Sequence, residues 1–98
     1  MKLVLLHPDD NILIVTAALA PGDTVEIEGQ NVTIGKAVDI GHKLARRPLQ
    51  AGDKVYRYGA PIGSMTQAAQ TGEHVHLHNM KSDYIPTHSR DTVEQRNA

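Results

Sequence analysis

The sequence predicts an all-β domain made of many short strands and turns, and two observations lead to this prediction. The first is a theme that occurs three times, in which a glycine and an acidic residue are followed two positions later by valine: Pro21-Gly22-Asp23-Thr24-Val25, Ala51-Gly52-Asp53-Lys54-Val55 and Thr71-Gly72-Glu73-His74-Val75. Glycine can adopt the positive φ of a tight turn, and valine favours a strand. The second is an alternation of aliphatic and polar residues between these turns.

This alternation locates individual strands. Residues 24–28 and 31–34 each place two aliphatic side chains on one face, and Gly29-Gln30 between them is predicted to be a hairpin turn. Residues 3–6 and 11–15 have the composition of strands as well.

Three segments are less sharply defined. Residues 16–20 fit either the end of a strand or a helical turn, and residues 64–70 have helix-favouring Ala and Gln between glycines that leave room for about one turn. From residue 81 onward the composition becomes polar and charged, so this segment adds little to a core. We therefore expect one β domain over residues 1–80 and a polar tail over residues 81–98, either flexible or bound to a partner.

The overall composition excludes several classes of protein. A chain of 98 residues is long enough for one hydrophobic core, and an elaborate active site would need groups from another chain. Ten Lys and Arg balance 11 Asp and Glu, which argues against a nucleic-acid partner. The absence of cysteine excludes disulfides and thiolate chemistry, and no apolar stretch is long enough to span a membrane. The expected location is the cytoplasm.

Three of the six histidines, His74, His76 and His78, lie at alternate positions. Strand geometry points all three imidazoles to one face, where they can converge on a divalent ion such as Fe²⁺, Mn²⁺ or Zn²⁺. The alternative interpretation is a solvated strand face without a metal. Asn79 can bind a ligand hydroxyl through its amide, or it can simply end the strand.

A second cluster follows Gly41. His42 offers a proton-transfer group near neutral pH, and Lys43 offers a cation for a substrate carboxylate, although both can equally be ordinary surface residues. In a third segment, Tyr58-Gly59-Ala60-Pro61-Ile62-Gly63, two glycines bracket a proline. This segment is predicted to be a stiff turn with the Tyr58 hydroxyl at its entry.

Three phrases together resemble the N-terminal domain of the altronate/galactarate dehydratase family: Gly41-His42-Lys43, Tyr58-Gly59-Ala60-Pro61-Ile62-Gly63 and Gly72-Glu73-His74-Val75-His76-Leu77-His78-Asn79. Their order and spacing match, as does the earlier phrase Pro8-Asp9-Asp10-Asn11-Ile12, so the resemblance covers about residues 1–81. One residue departs from the pattern. His74 stands where the family more often has an aromatic residue, which puts a site of three histidines in doubt.

The resemblance implies a fold, a reaction and a partner. The fold is the SAF-type β-clip, and the family joins this domain to a large catalytic part, either in one chain or as a separate small subunit, as in sulfolactate sulfo-lyase. The expected function is therefore that of a small subunit, inactive alone, of a lyase that removes water or sulfite from a sugar acid or related 2-hydroxy acid to give a 2-keto acid. A homo-oligomer is also compatible with the resemblance.

The family residues carry over to specific positions. The expected catalytic groups are His42, Lys43, His76 and His78, and the expected substrate-binding groups are Asn79 and Tyr58. A divalent metal shared with the large subunit is expected on His76 and His78. The competing hypothesis from another class is a non-catalytic β-clip module that binds a sugar acid or a protein surface.

Overall fold

The computed structural model describes residues 2–83, and these residues form nine short strands and no helix. The all-β prediction is confirmed. The strands are β1 (Leu3–Val4), β2 (Ile12–Val15), β3 (Thr24–Ile27), β4 (Gln30–Thr33), β5 (Lys43–Ala45), β6 (Lys54–Arg57), β7 (Ala60–Met65), β8 (His74–Val75) and β9 (Met80–Ser82). Within the described part of the chain, no helix is available to span a membrane.

Three antiparallel sheets organise these strands. The largest has the order β1-β2-β5-β8, the second is the hairpin β3-β4, and the third has the order β6-β7-β9. In the largest sheet β5 lies between β2 and β8, so that Leu44 faces Leu13 on one side and His74 on the other. This pairing brings residues from the middle and the end of the domain together.

Two aliphatic cores lie on the two faces of β2, because successive side chains of a strand point in opposite directions. Ile12 and Ile14 belong to one core, and Leu13 and Val15 belong to the other. The remaining buried members of the first core are Ala45, Leu49, Val55, Met65, Ala69, Val75 and Met80. Those of the second core are Leu19, Val25, Ile27, Ile34, Val38 and Leu44.

The recurring glycine-acidic theme forms the same turn each time. The glycine has a positive φ of 85° to 94°, and the carboxylate of Asp23, Asp53 or Glu73 accepts a hydrogen bond from the backbone N–H three residues earlier. These donors are the amides of Ala20, Gln50 and Gln70, at 2.8, 2.8 and 2.6 Å. The acidic side chain therefore closes the turn that opens β3, β6 or β8.

A fourth copy of this turn opens β5 and carries His42 in place of the acid. Gly41 has a φ of 88°, and the His42 N–H donates to the Asp39 carbonyl at 3.3 Å. In the other three copies the N–H of the acidic residue likewise donates to the carbonyl three residues earlier. The backbone pairing also repeats, since Leu19 bridges Val38 just as Leu49 bridges Ala69. The sequence theme had missed this copy because it required an acidic residue.

Both hairpins end in two-residue turns with positive φ at each residue, the geometry that matches the twist of paired strands. Glu28 and Gly29 have φ of 52° and 81° in one hairpin, and Tyr58 and Gly59 have 56° and 75° in the other. The predicted turn at Gly29-Gln30 was thus wrong by one residue, because Gln30 already pairs with Ile27.

Other local expectations need correction as well. The predicted stiff turn of residues 58–63 is a turn only at its first two residues, and the rest enters β7. Neither residues 16–20 nor residues 64–70 form a helical turn, because both segments take part in β bridges or in the end of a strand. Lys81 and Ser82, assigned above to the tail, belong to β9, where Met80 is buried. The remainder of the predicted tail, from residue 84, lies outside the described residues.

Candidate functional site

The segment that follows β8 is a turn and not a continuing strand. β8 ends at Val75, and the His76 carbonyl accepts hydrogen bonds from the N–H groups of Asn79 and Met80 at 3.0 and 2.9 Å. The prediction that His74, His76 and His78 share one face through strand alternation was therefore wrong in its premise. A sharp turn, which the alternation could not reveal, sets the directions of these side chains.

Three imidazoles nevertheless lie together at this end of the largest sheet. They belong to His42, His74 and His76, which we call the histidine cluster. Their ring centroids are 4.9 to 5.2 Å apart, and the rings of His74 and His76 are stacked with an interplanar angle of 9°. One nitrogen from each ring lies within 4.8 Å of the others. The shortest contact joins His42 Nδ1 to His74 Nε2 at 2.9 Å, a hydrogen-bond distance.

The β5–β8 ladder produces this meeting. Lys43 pairs with Val75 and Leu44 pairs with His74, so this register places His42 opposite His76, and His74 lies two positions before His76 in the chain. His42 is 32 residues from His74 in sequence. Only the antiparallel pairing brings the two imidazoles together.

Of the two predicted metal ligands, His76 belongs to the histidine cluster and His78 does not. His78 lies beside the histidine cluster, with its ring centroid 5.6 Å from that of His74, but it is not one of the three residues whose ligand atoms converge. His74 is one of them, although it departs from the family pattern. The metal assignment itself stays a prediction.

Burial and neighbouring positive charge favour the neutral imidazoles. The pKa of His74 is lowered to about 4, first by its burial and then by the nearby His42, His76, His78 and Lys43. Burial and the same kind of neighbours also lower the pKa of His76. The pKa of Lys43 is lowered by burial and by the charge of Arg57. At neutral pH the imidazoles of His74 and His76 are therefore mostly neutral, the form that accepts a proton or binds a metal.

Asn79 holds the turn that presents His76. It is only 5% exposed, its Oδ1 accepts the His76 N–H at 2.9 Å, and its Nδ2 donates to the His74 carbonyl at 2.8 Å. These bonds match the strand-ending interpretation of Asn79. Its predicted role in substrate binding stays a prediction.

Tyr58 lies on a different part of the fold. It occupies the turn of the β6–β7 hairpin, whereas the histidine cluster lies on β5, β8 and the turns beside them. Its side chain is 65% exposed, with the Arg57 guanidinium carbon 5.9 Å from the ring centroid. The structure therefore does not bring Tyr58 to the cluster, and its role in substrate binding also stays a prediction.

The sequence analysis did not single out two buried polar residues, Asp10 and Asn11. The Asp10 carboxylate is fully buried and accepts the N–H groups of Tyr58 and Gly59 at 3.0 and 2.8 Å. The Asn11 side chain accepts the Tyr56 N–H and donates to the Lys54 carbonyl. The family phrase that contains both residues was the available signal, and the structure gives it a role in holding the β6–β7 hairpin.

A groove of about 380 Å³ adjoins the histidine cluster. It lies between the end of the β3–β4 hairpin and the turn that precedes β8, and it is lined by residues 32–36, Val38 and residues 71–74. His74 is common to the groove and the cluster, and Lys36 adds a cation to the lining. Glu73 adds an acidic residue to the same lining, and the groove is a place where a ligand can approach the imidazoles.

Comparisons with known proteins agree with this architecture. The family model described as "Altronate/galactarate dehydratase SAF domain" matches residues 1–83. An altronate dehydratase of Escherichia coli (strain K12) is 36% identical over 83 residues, which are 85% of this chain and 17% of that protein. One of Bacillus subtilis (strain 168) is 31% identical over 78 residues, which are 80% of this chain and 16% of that protein.

A smaller relative is the (2R)-sulfolactate sulfo-lyase subunit alpha of Paracoccus pantotrophus, 49% identical over 45 residues, which are 46% of this chain and 67% of that subunit. The chain thus spans less than a fifth of the altronate dehydratases that it matches. These relatives contain the matched region as a domain or a subunit of a larger enzyme. The sequence resemblance and the β-clip fold class are confirmed.

Proposed function

The chain belongs to the altronate/galactarate dehydratase SAF-domain family, and we propose that it is the small component of a lyase. In this proposal it acts with a large catalytic subunit of the same family on a sugar acid or a related 2-hydroxy acid. The reaction is a β-elimination that releases water or sulfite and leaves a 2-keto acid. An altronate dehydratase and a sulfolactate sulfo-lyase subunit are among the relatives, which supports both leaving groups as candidates.

The observation that carries this proposal is the histidine cluster with Lys43 beside it. Three imidazoles and the Lys43 amine lie together beside a groove. The pKa values of His74, His76 and Lys43 are all lowered there. Perturbed pKa values in such a cluster are typical of catalytic sites.

The chemistry follows from the charges. The ammonium of Lys43 attracts the substrate carboxylate, and the imidazole of His42 or His76 accepts the proton from C2. The electrons of the broken C–H bond form the C2–C3 double bond as the group on C3 departs with its electron pair. A neighbouring group, with His78 as the candidate, gives the leaving hydroxyl its proton. The enol then tautomerises to the 2-keto acid.

The residues also fit a divalent metal. Imidazole nitrogens are good ligands for Fe²⁺, Mn²⁺ and Zn²⁺, and His42, His74 and His76 are the residues that would hold the ion. When bound, the metal would polarise substrate oxygens as a Lewis acid.

Two exposed apolar side chains support the need for a partner. Ile40 is 65% exposed two residues before His42, and Leu77 is 78% exposed directly after His76. These two side chains flank the histidine cluster, and the proposal seats the large subunit on them. A large subunit seated there would close the site against water and add the groups that this chain lacks.

The test is co-expression with a large subunit of the family, followed by assay of the purified complex against aldonic, aldaric and sulfonated 2-hydroxy acids. We expect turnover by the complex and none by this chain alone. His76→Ala should lower kcat/KM by about 100-fold or more, the usual contribution of a proton-transfer group, while the complex still assembles. If the complex forms and His76→Ala leaves turnover intact, the chain is a non-catalytic binding module.

A further inference from the structure

We infer that His42, His74 and His76 form a binding site for a divalent transition-metal ion on this chain, with His74 as an essential ligand. The inference deepens the proposed function, and only the catalytic use of the metal rests on that proposal. Binding itself is a property of this chain and can be measured without a partner.

The geometry is close to that of a metal site. In a tetrahedral site with metal–nitrogen bonds of about 2.0–2.1 Å, neighbouring ligand atoms are about 3.4 Å apart. His42 Nδ1 and His74 Nε2 are 2.9 Å apart, and no pair of the three ligand atoms exceeds 4.8 Å. The spacings of the three ligand atoms thus lie close to the spacing that a tetrahedral ion requires.

The backbone holds the three ligands in place. Leu44 pairs with His74 across the β5–β8 ladder, which fixes the distance from β8 to the turn that carries His42. The Asn79 amide ties the backbone at His76, because its Oδ1 accepts the His76 N–H. Little conformational entropy is therefore lost when an ion binds, which favours affinity.

The ligand set selects the class of metal. Three imidazoles converge, with neither a thiolate nor a carboxylate in the group within residues 2–83. This set suits Zn²⁺, Fe²⁺ or Co²⁺ better than Mg²⁺ or Ca²⁺, which prefer oxygen ligands. A site with three protein ligands also keeps at least one open position, as catalytic metal sites do, and the adjoining groove leads to it.

A simpler arrangement would be a hydrogen bond between neutral His42 and His74 with no affinity for metal. The two arrangements differ in what His74 does. In the simpler arrangement, removal of its imidazole affects only packing, whereas in the metal site it removes one of three ligands. A titration with metal separates them.

The experiment uses the full chain, stripped with a chelator and titrated with Co²⁺, whose d–d absorption reports nitrogen coordination, and with Zn²⁺ in competition. We expect one equivalent to bind and Zn²⁺ to raise the melting temperature. His74→Phe and His42→Gln should each weaken binding at least tenfold. His7→Ala is the matched control and should stay within threefold of the wild type.

The inference is overturned if no stoichiometric Co²⁺ spectrum develops, or if His74→Phe binds Co²⁺ as tightly as the wild type. Circular dichroism of each variant checks folding, and His42→Gln gives a second test should His74→Phe be unfolded. The outcome is independent of the lyase proposal. Binding without turnover in the complex would contradict the lyase and keep the site, and turnover unaffected by His74→Phe would keep the lyase and reject the site's catalytic use.

Discussion

The turns that open β3, β6 and β8 and the turn that opens β5 share one backbone geometry and differ in one side chain. Where Asp23, Asp53 or Glu73 stands, the carboxylate is used locally by a backbone N–H. Where His42 stands, the imidazole reaches instead across the ladder to His74. The comparison teaches that the fold needs this turn four times, and that one copy has exchanged a local hydrogen bond for a place in the histidine cluster.

The largest expected effect comes from His42→Asn, which gives the fourth turn a short side-chain acceptor like those of the other three. The turn should persist, so the free energy of unfolding should stay within about 0.5 kcal/mol of the wild type. Turnover by the complex should fall about 100-fold or more, because a proton-transfer group is lost. Chemical denaturation and steady-state kinetics measure the two quantities. Equal losses in both would show that His42 is a structural residue.

The reciprocal change, Asp53→Ala, should affect stability alone. It removes the acceptor of the Gln50 N–H, and the loss of one such hydrogen bond costs about 1 kcal/mol. The urea midpoint should fall while kcat/KM of the complex stays unchanged. Asp53→Asn is the control, since it keeps an oxygen at the same place and should recover most of the stability. A loss of turnover in Asp53→Ala would break the division between the two kinds of turn.

The smallest expected effect concerns pH. The pKa of His74 in the folded chain is about 4, below the ordinary value of 6.5, so between these values the unfolded chain binds more protons. Stability from this group is therefore present above about pH 6.5 and is lost as the pH falls toward 4. Because His74 is partly exposed, we expect less than about 1 kcal/mol from it. Unfolding midpoints from pH 4 to 7 should flatten in His74→Phe, and an unchanged slope would assign the dependence to other groups.

Local sequence patterns predicted the fold well where one residue type determines a turn. Gly22, Gly52 and Gly72 have the expected positive φ, and the valine two residues after the acid is buried in each copy. The hairpin turn at Glu28-Gly29 was misplaced because Glu28 has a positive φ, which propensity assigns to glycine and asparagine.

The site was less accessible to local patterns. His42 and His74 are in contact through strand pairing, and alternation within one strand carries no information about that partner. The row of three histidines assumed a strand through Asn79, whereas Asn79 closes a turn with its own side chain. The family phrases identified His42 and His76, because these phrases come from several separate parts of the fold. The same phrases argued against His74, which the structure places in the cluster.

The central claim is that this chain supplies imidazole groups to an elimination site shared with a larger subunit. Turnover by a complex carrying His76→Ala, measured with and without added imidazole, tests it most directly. We expect a fall of about 100-fold without imidazole and a partial, saturable recovery with it, since the added base replaces the missing group. Full turnover by the substituted complex without imidazole would contradict the claim.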